Sequence, residues 1–282
     1  MKNKHNATDA NELFSIAANL GATVAVILLS VFLSLALAFL FEGKFGQFSK
    51  SFSGFEKEQK KNPYSASNGN DAYYWIAPNP DKIEHEKQRG QVLYGKKLIA
   101  HTSKYLGPKG SVKPISNGLN CQNCHLSAGT AIFGNNYGSV ASTYPKFRAR
   151  SGTKEDIYKR VNDCFERSLN GQPLDTASRE MQAIRAYIEF LGSNMPKGEK
   201  AHGSGLKDLP YLDRAADPAK GKLVYENLCQ SCHQPNGEGV FNETGTEYLY
   251  PALWGPHSYN DGAGLYRISN FAKYAKYNMP HG

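Results

Sequence analysis

Two pentapeptides carry the chemistry that this sequence advertises most plainly: Cys121-Gln122-Asn123-Cys124-His125 and Cys229-Gln230-Ser231-Cys232-His233. Paired thiols at this spacing add to the vinyl groups of a porphyrin while the adjoining imidazole faces the iron, which makes C-x-x-C-H the attachment signature of a c-type haem. Redox dithiols and zinc sites use similar cysteine spacing. A recurrence about a hundred residues further on instead matches the size of successive small haem domains. The expected cofactors are therefore two covalently attached c-type haems, one on Cys121, Cys124 and His125 and one on Cys229, Cys232 and His233. Of the five cysteines, Cys164 has no thiol left to pair with, so a structural disulfide is not expected.

Cys164 falls in a predicted helix from an N-cap at Thr153 to about Leu169, closed by Asn170-Gly171. Within it Arg160, Cys164 and Ser168 are spaced i, i+4 and i+8, one above another on a single face. If that face looks onto the first iron, Cys164 supplies a sulfur as its distal ligand. Arg160, with Arg150 from the preceding segment, then surrounds the sulfur with cationic donors that favour thiolate and suit a small oxyanion. The same spacing also suits a buried cysteine acting as a small apolar residue, with its arginines on a solvated face. Met195, in Asn194-Met195-Pro196, is a rival distal ligand, but it follows a helix over Ser178–Leu191 that closes the domain.

Three segments resemble the dihaem thiosulfate dehydrogenase and tetrathionate reductase family: Leu119 to His125, Phe147-Arg148-Ala149-Arg150-Ser151-Gly152, and Asn162-Asp163-Cys164-Phe165-Glu166-Arg167-Ser168-Leu169-Asn170-Gly171. The resemblance runs from about Gly90 to the C-terminus, and its most specific part is Asn162 to Ser168. It implies His125 and Cys164 as the ligands of haem one, with Arg150, Arg160 and Ser168 around the substrate. It implies an oxidoreductase that joins thiosulfate into tetrathionate, or runs the reverse, with a cytochrome or other redox partner.

In the second motif's domain, Asp217-Pro218 caps a predicted helix whose Leu223, Val224 and Leu228 lead into Cys229. His233 is the proximal ligand. Asn278-Met279-Pro280 has the form of a distal methionine loop, which makes Met279 the expected ligand, with His257 and His281 as alternatives. Some relatives in the resembling family have lysine just before that methionine, where this chain has Asn278; the resemblance then implies plain His/Met ligation. A cytochrome c domain normally closes with a further helix after this point, so the sequence is expected to be incomplete at its C-terminus.

These sites need elements to position them, and the fold class read from the sequence is mainly α: two cytochrome c-like haem domains in tandem behind an N-terminal transmembrane helix. Leu20 to Phe41 is a charge-free run of 22 residues, long enough to cross a hydrocarbon core as a helix. It is read as an inner-membrane anchor over a cleaved signal peptide, because it is longer than the usual h-region and stays apolar through Phe41. Lysine counts on either side (Lys2 and Lys4 before; Lys44, Lys50, Lys57, Lys60 and Lys61 after) would place the body in the cytoplasm. Covalent haem attachment on the outer side of the bacterial inner membrane overrides that count and places the haem domains in the periplasm. The expected organisation is an anchor over 1–41, a polar tether over 42–80, a first haem domain over 81–196 opened by a helix from Glu84 to Leu106, a linker over 197–213 and a second haem domain over 214–282.

The formal charge of +8 is spread thinly and comes with no nucleic-acid motif, so nucleic acid is not expected as a partner. It suits an anionic substrate or an acidic redox partner. Two other readings use the same motifs: a membrane-anchored dihaem electron carrier without its own substrate, and a subunit of a sulfur-oxidising cytochrome complex acting on a carrier protein's thiol.

Overall fold

A computed structural model describes residues 28–30 and 74–281. The expected anchor and most of the tether lie outside the described residues; Leu28–Ser30 are helical. Among the described residues no helix is long and apolar enough to cross a membrane.

The first domain is built on one helix crossing. Helix α1 (Glu86–Ala100) buries Val92, Gly95, Leu98 and Ile99, a stripe at helical spacing. It packs on the later helix over Arg179–Leu191, which buries Met181, Ala183, Ile184, Tyr187, Ile188 and Leu191. The axes come so close at Gly95 that a Cβ there would lie 2.0 Å from Ala183 O. The opening helix was expected to run unbroken to Leu106, but it ends at Ala100 and restarts as α2 (Thr102–Leu106). His101 leaves helical geometry between them (φ −130°, ψ 45°). The break has a use: the Thr102 hydroxyl accepts from Cys121 N at 2.9 Å, and Ser103 N donates to Asn120 Oδ1 at 2.8 Å. The start of α2 thus holds the start of the first haem motif.

After that motif a two-stranded antiparallel ladder, β1 (Lys146–Arg148) with β2 (Thr153–Glu155), turns the chain into α3 (Ile157–Arg167). Thr153 was expected to cap this helix. It lies in β2 instead, and Asp156 is the cap, accepting from Lys159 N at 2.8 Å. A carboxylate is the stronger acceptor at the positive end of a helix, and Thr153 Oγ1 donates to Ser151 Oγ at 3.1 Å. Helix α4 is the Arg179–Leu191 helix, expected over Ser178–Leu191, and Ser178 serves as its cap. Its Tyr187 hydroxyl donates to Ala128 O at 2.9 Å, tying the core to the turn after the haem motif.

The domain reaches back into the stretch expected as tether: Trp75 is buried, and its indole donates to Asn194 Oδ1 at 2.9 Å. The glycine-rich 197–213 segment is also packed rather than free, since Gly203 O and Gly205 O accept from Phe133 N (2.7 Å) and Asn135 N (3.1 Å).

The second domain consists of α5 (Pro218–Leu228), the second haem motif, a short ladder of β3 (Val240–Phe241) with β4 (Tyr248–Tyr250), and α6 (Ile268–Asn278). Asp217 caps α5 as expected. Leu223, Val224 and Leu228 are exposed rather than packed. Polar contacts fasten this domain to the first, among them Glu247 Oε1 accepting from Asn120 Nδ2 at 3.1 Å and the buried Tyr274 on α6 donating to Asn123 O at 2.6 Å. Its docking surface therefore includes the first haem motif itself.

The α1–α4 crossing yields a paired test. Gly95→Val should lower the thermal midpoint of the holoprotein by roughly 5–10 °C through overpacking. Gly90→Ala, on the same helix where an added Cβ meets nothing within 4 Å, should leave it unchanged or raise it. Equal drops in both would contradict the close crossing.

Candidate active site

The residues singled out for the first haem converge. His125, Cys124, Cys164, Arg160 and Ser168 line two adjoining cavities of about 180 and 500 Å³. Cys121 joins them in the smaller one, whose wall is largely apolar and includes Ile99, Leu119, Tyr137, Val140, Phe165 and Leu169. Arg150 lines the larger one.

Each part of this arrangement has a local cause. His125 Nδ1 donates to Asn135 O at 2.6 Å, which leaves Nε2 to face inward. Asn135 presents that carbonyl from a left-handed backbone (φ 56°) within the Gly/Asn-rich stretch 129–138. Gly129, at φ +82°, has no Cβ to strike the Tyr137 ring. That ring therefore stacks on the His125 imidazole at 4.6 Å and 27°. On the opposite wall, Phe165 on α3 is buried in the core, so the neighbouring face of the helix turns Arg160, Cys164 and Ser168 inward.

The three thiols at the cavity differ in character. Burial pushes Cys121 and Cys124 up from 9.0 to about 12. Burial also raises Cys164, but the Arg160 guanidinium and a hydrogen-bonded His125 imidazole together outweigh it and bring the thiol down to about 7. Cys164 and His125 share the walls of both cavities.

The residues present fit a c-type haem. All five cysteines are unpaired, so the two thiols of each motif remain free for attachment. His233 repeats the arrangement of His125: its Nδ1 donates to Pro251 O at 2.8 Å, leaving Nε2 for iron. Cys121, Cys124 and His125 would hold the first group, and Cys229, Cys232 and His233 the second. Met195 packs on the first domain's core and lines neither cavity. His257 and His281 are exposed, whereas Met279, at the C-terminal cap of α6, is partly buried.

The larger cavity is strongly cationic. Five arginines line it against two carboxylates, Glu155 and Asp163. Asp163 is engaged by Lys159 and by Arg167 at 3.3 Å, and Glu155 Oε2 lies 4.0 Å from Arg148 Nε. Among the described residues Arg150, Arg160 and Arg267 form no ion pair with a carboxylate; Arg160 is held mainly by the charge of Cys164, with weaker help from Asp163 and Glu155, and the Arg150 guanidinium donates to Gly262 O at 2.5 Å.

Sequence reasoning missed the second domain's share of this site. Gly262–Leu265, Arg267 and Asn270 line the larger cavity. They are held there by Asn260, whose backbone N–H donates to Arg167 O at 3.0 Å and whose side chain donates to Glu166 O at 2.9 Å. These are carbonyls that the end of α3 leaves unpaired. Nothing in the local pattern of 258–267 signals a partner nearly a hundred residues earlier; only the tertiary docking reveals it.

The fold and site define a tandem c-type cytochrome with a cysteine opposite its first haem-binding histidine. Comparison with known proteins agrees. Residues 111–196 match the model of the SoxA/TsdA cytochrome c domain, and 218–279 match that of cytochrome c. Thiosulfate dehydrogenase from Psychrobacter arcticus is 37% identical over 207 residues, 73% of this chain and 61% of the relative. The enzyme of that name from Stutzerimonas stutzeri is 30% identical over 225 residues, 80% of this chain and 71% of the relative. Among solved structures, the thiosulfate dehydrogenase (TsdBA) of Marichromatium purpuratum superposes with a TM-score of 0.68 at 27% identity, covering 74% of this chain and 45% of that one. The chain belongs to the thiosulfate dehydrogenase family, and it spans about three fifths of the length of its Psychrobacter relative.

Asn260→Ala should release the end of α3 at a cost of about 1–2 kcal/mol, read as a lower urea midpoint with both haems retained. An unchanged midpoint would show that the clasp carries no energy.

Proposed function

We propose that this chain is a dihaem oxidoreductase interconverting thiosulfate and tetrathionate, in which Cys164 would help His125 hold the iron of the first haem and is the sulfur at which substrate reacts. The observation that carries this reading is the pairing of an opposed histidine and cysteine with three arginines that lack a carboxylate. A carrier that only passes electrons needs neither the thiol nor the anion-binding charge.

Joining two thiosulfates releases two electrons, and the haems bound at the two sites supply one-electron acceptors matching that number. The rest falls to side chains. The Cys164 thiolate joins the outer sulfur of one thiosulfate with loss of two electrons, giving a cysteine-linked adduct. The outer sulfur of a second thiosulfate attacks the new sulfur–sulfur bond, so tetrathionate leaves and the thiolate returns. Every charge brought into the site is negative. Arg150 and Arg160 offset the repulsion between a dianion and a thiolate, and their fixed positions make that help available without reorganisation. Ser168, one turn beyond Cys164, adds a neutral hydroxyl donor at the same wall. Phe165 and the apolar lining of the smaller cavity keep water from the thiol.

For the second haem, Met279 is proposed opposite His233, placed at the end of the partly buried α6, with Asn278 directed away from any ligand role by its donation to Phe133 O at 3.3 Å. A haem held there would supply a one-electron centre from which a cytochrome or other redox partner is served. The charge-free run from Leu20 to Phe41 supports an inner-membrane anchor, and covalent haem attachment supports a periplasmic location for both haem domains.

Cys164→Gly should reduce turnover in both directions by roughly a hundredfold or more while haem staining still reports two attached groups. Retained turnover would reject Cys164 as the reacting sulfur. In wild-type protein KM for either anion should rise with ionic strength, since three exposed or partly exposed guanidinium charges are screened; a salt-independent KM would remove the arginines from substrate binding.

A further inference from the structure

We infer that Arg267, carried by the second domain, holds the outer sulfonate of the substrate pair, so that the reacting anions are bound between the two haem domains rather than by the first alone. This rests on the thiosulfate–tetrathionate reading above and extends it by naming the second anion subsite.

Tetrathionate carries a sulfonate at each end of a short sulfur chain, and the reaction in either direction places one half on Cys164 and the other beyond it. Arg150 and Arg160 flank the first half. The second half lies further from α3 and needs a positive group of its own. The first domain has none to spare on this cavity: Arg148 faces Glu155, and Arg167 is engaged by Asp163. Arg267 lines the same cavity and is exposed, and its guanidinium forms no hydrogen bond or ion pair among the described residues.

Its backbone, by contrast, is fixed. Arg267 is the N-cap residue of α6, an eleven-residue helix. Asn270, on the first turn, donates from its side chain to Gly264 O at 3.0 Å. The loop before it is clasped to the end of α3 by Asn260, and Arg150 reaches across to Gly262 O at 2.5 Å. A guanidinium on a fixed stem, without an ion-paired carboxylate, on the same cavity as Arg150 and Arg160 is an arrangement suited to bind an oxyanion. The amide end of α6 adds positive potential in the same place.

A solvated rim charge would only steer the anion inward, and any cation there would serve. A residue that grips a sulfonate with paired N–H donors loses its hold when changed to lysine as well. Because the grip persists from ground state to transition state, its loss should raise KM and leave kcat nearly unchanged.

The test uses the holoprotein, with steady-state assays in both directions with an artificial electron carrier and calorimetric titration of the oxidised protein with tetrathionate. Arg267→Gln should raise KM and the calorimetric Kd for tetrathionate by roughly tenfold to a hundredfold. It should keep kcat within about threefold, and haem content and the optical spectrum should be those of wild type, as expected for an exposed side chain. Arg267→Lys should recover only part of the affinity. Wild-type affinity in Arg267→Gln, or full affinity in Arg267→Lys, would overturn the assignment while leaving the functional reading intact. Wild-type protein that neither turns over nor binds either anion would overturn both.

Discussion

The molecule is organised by the opposition of an imidazole and a thiol across one apolar cavity. His125 is held from behind by the Asn135 carbonyl at 2.6 Å and flanked by the Tyr137 ring. Cys164 is carried by a helix anchored in the core by its neighbour Phe165, which shares the cavity wall. Neither side chain can turn away without disturbing packing that serves the whole first domain. The Tyr187 hydroxyl on Ala128 O ties the turn after the haem motif to α4, which crosses α1 closely at Gly95. What sits between His125 and Cys164 is therefore constrained by the core and not by a flexible loop.

Electrostatics then divides the site into two regions. Around the smaller cavity the lining is apolar, and the cost of burying charge is borne by one thiolate beside one guanidinium, Cys164 beside Arg160. The larger cavity is open and over-supplied with arginine. Among the described residues, carboxylates pair with only two of its arginines, Arg148 and Arg167. The arginines without an ion-paired carboxylate line this cavity and make it suited to anions. The second domain takes part in this balance: it lends its loop carbonyl at Gly262 to Arg150, caps the end of the Cys164 helix through Asn260, and docks Tyr274 on the first haem motif.

Much of this was legible in the sequence, and for stated reasons. C-x-x-C-H is a covalent requirement, so both attachment sites could be read without any fold. The i, i+4, i+8 spacing of Arg160, Cys164 and Ser168 placed them on one face because helical geometry leaves no alternative. Which way that face pointed was not in the spacing; it depends on Phe165 winning burial over its neighbours. The cap of α3 was misplaced by three residues, since Thr153 and Asp156 are both good caps and only the β1–β2 ladder removes Thr153 from contention. The tether and linker were set by composition alone, which does not report that Trp75 is buried or that Gly203 and Gly205 bond to the haem loop. The second domain's contribution to the cavity was invisible for the same reason: Asn260, Gly262 and Arg267 acquire their roles by docking, not by any local pattern.

The central claim is a bond between the Cys164 sulfur and the first iron, and low-temperature EPR of the oxidised holoprotein addresses it directly. The account predicts a low-spin ferric signal of His/thiolate type that disappears in Cys164→Gly, alongside a second signal of His/Met type that does not change. Spectra identical in wild type and variant, with no thiolate signal in either, would contradict it and leave a protein that only relays electrons.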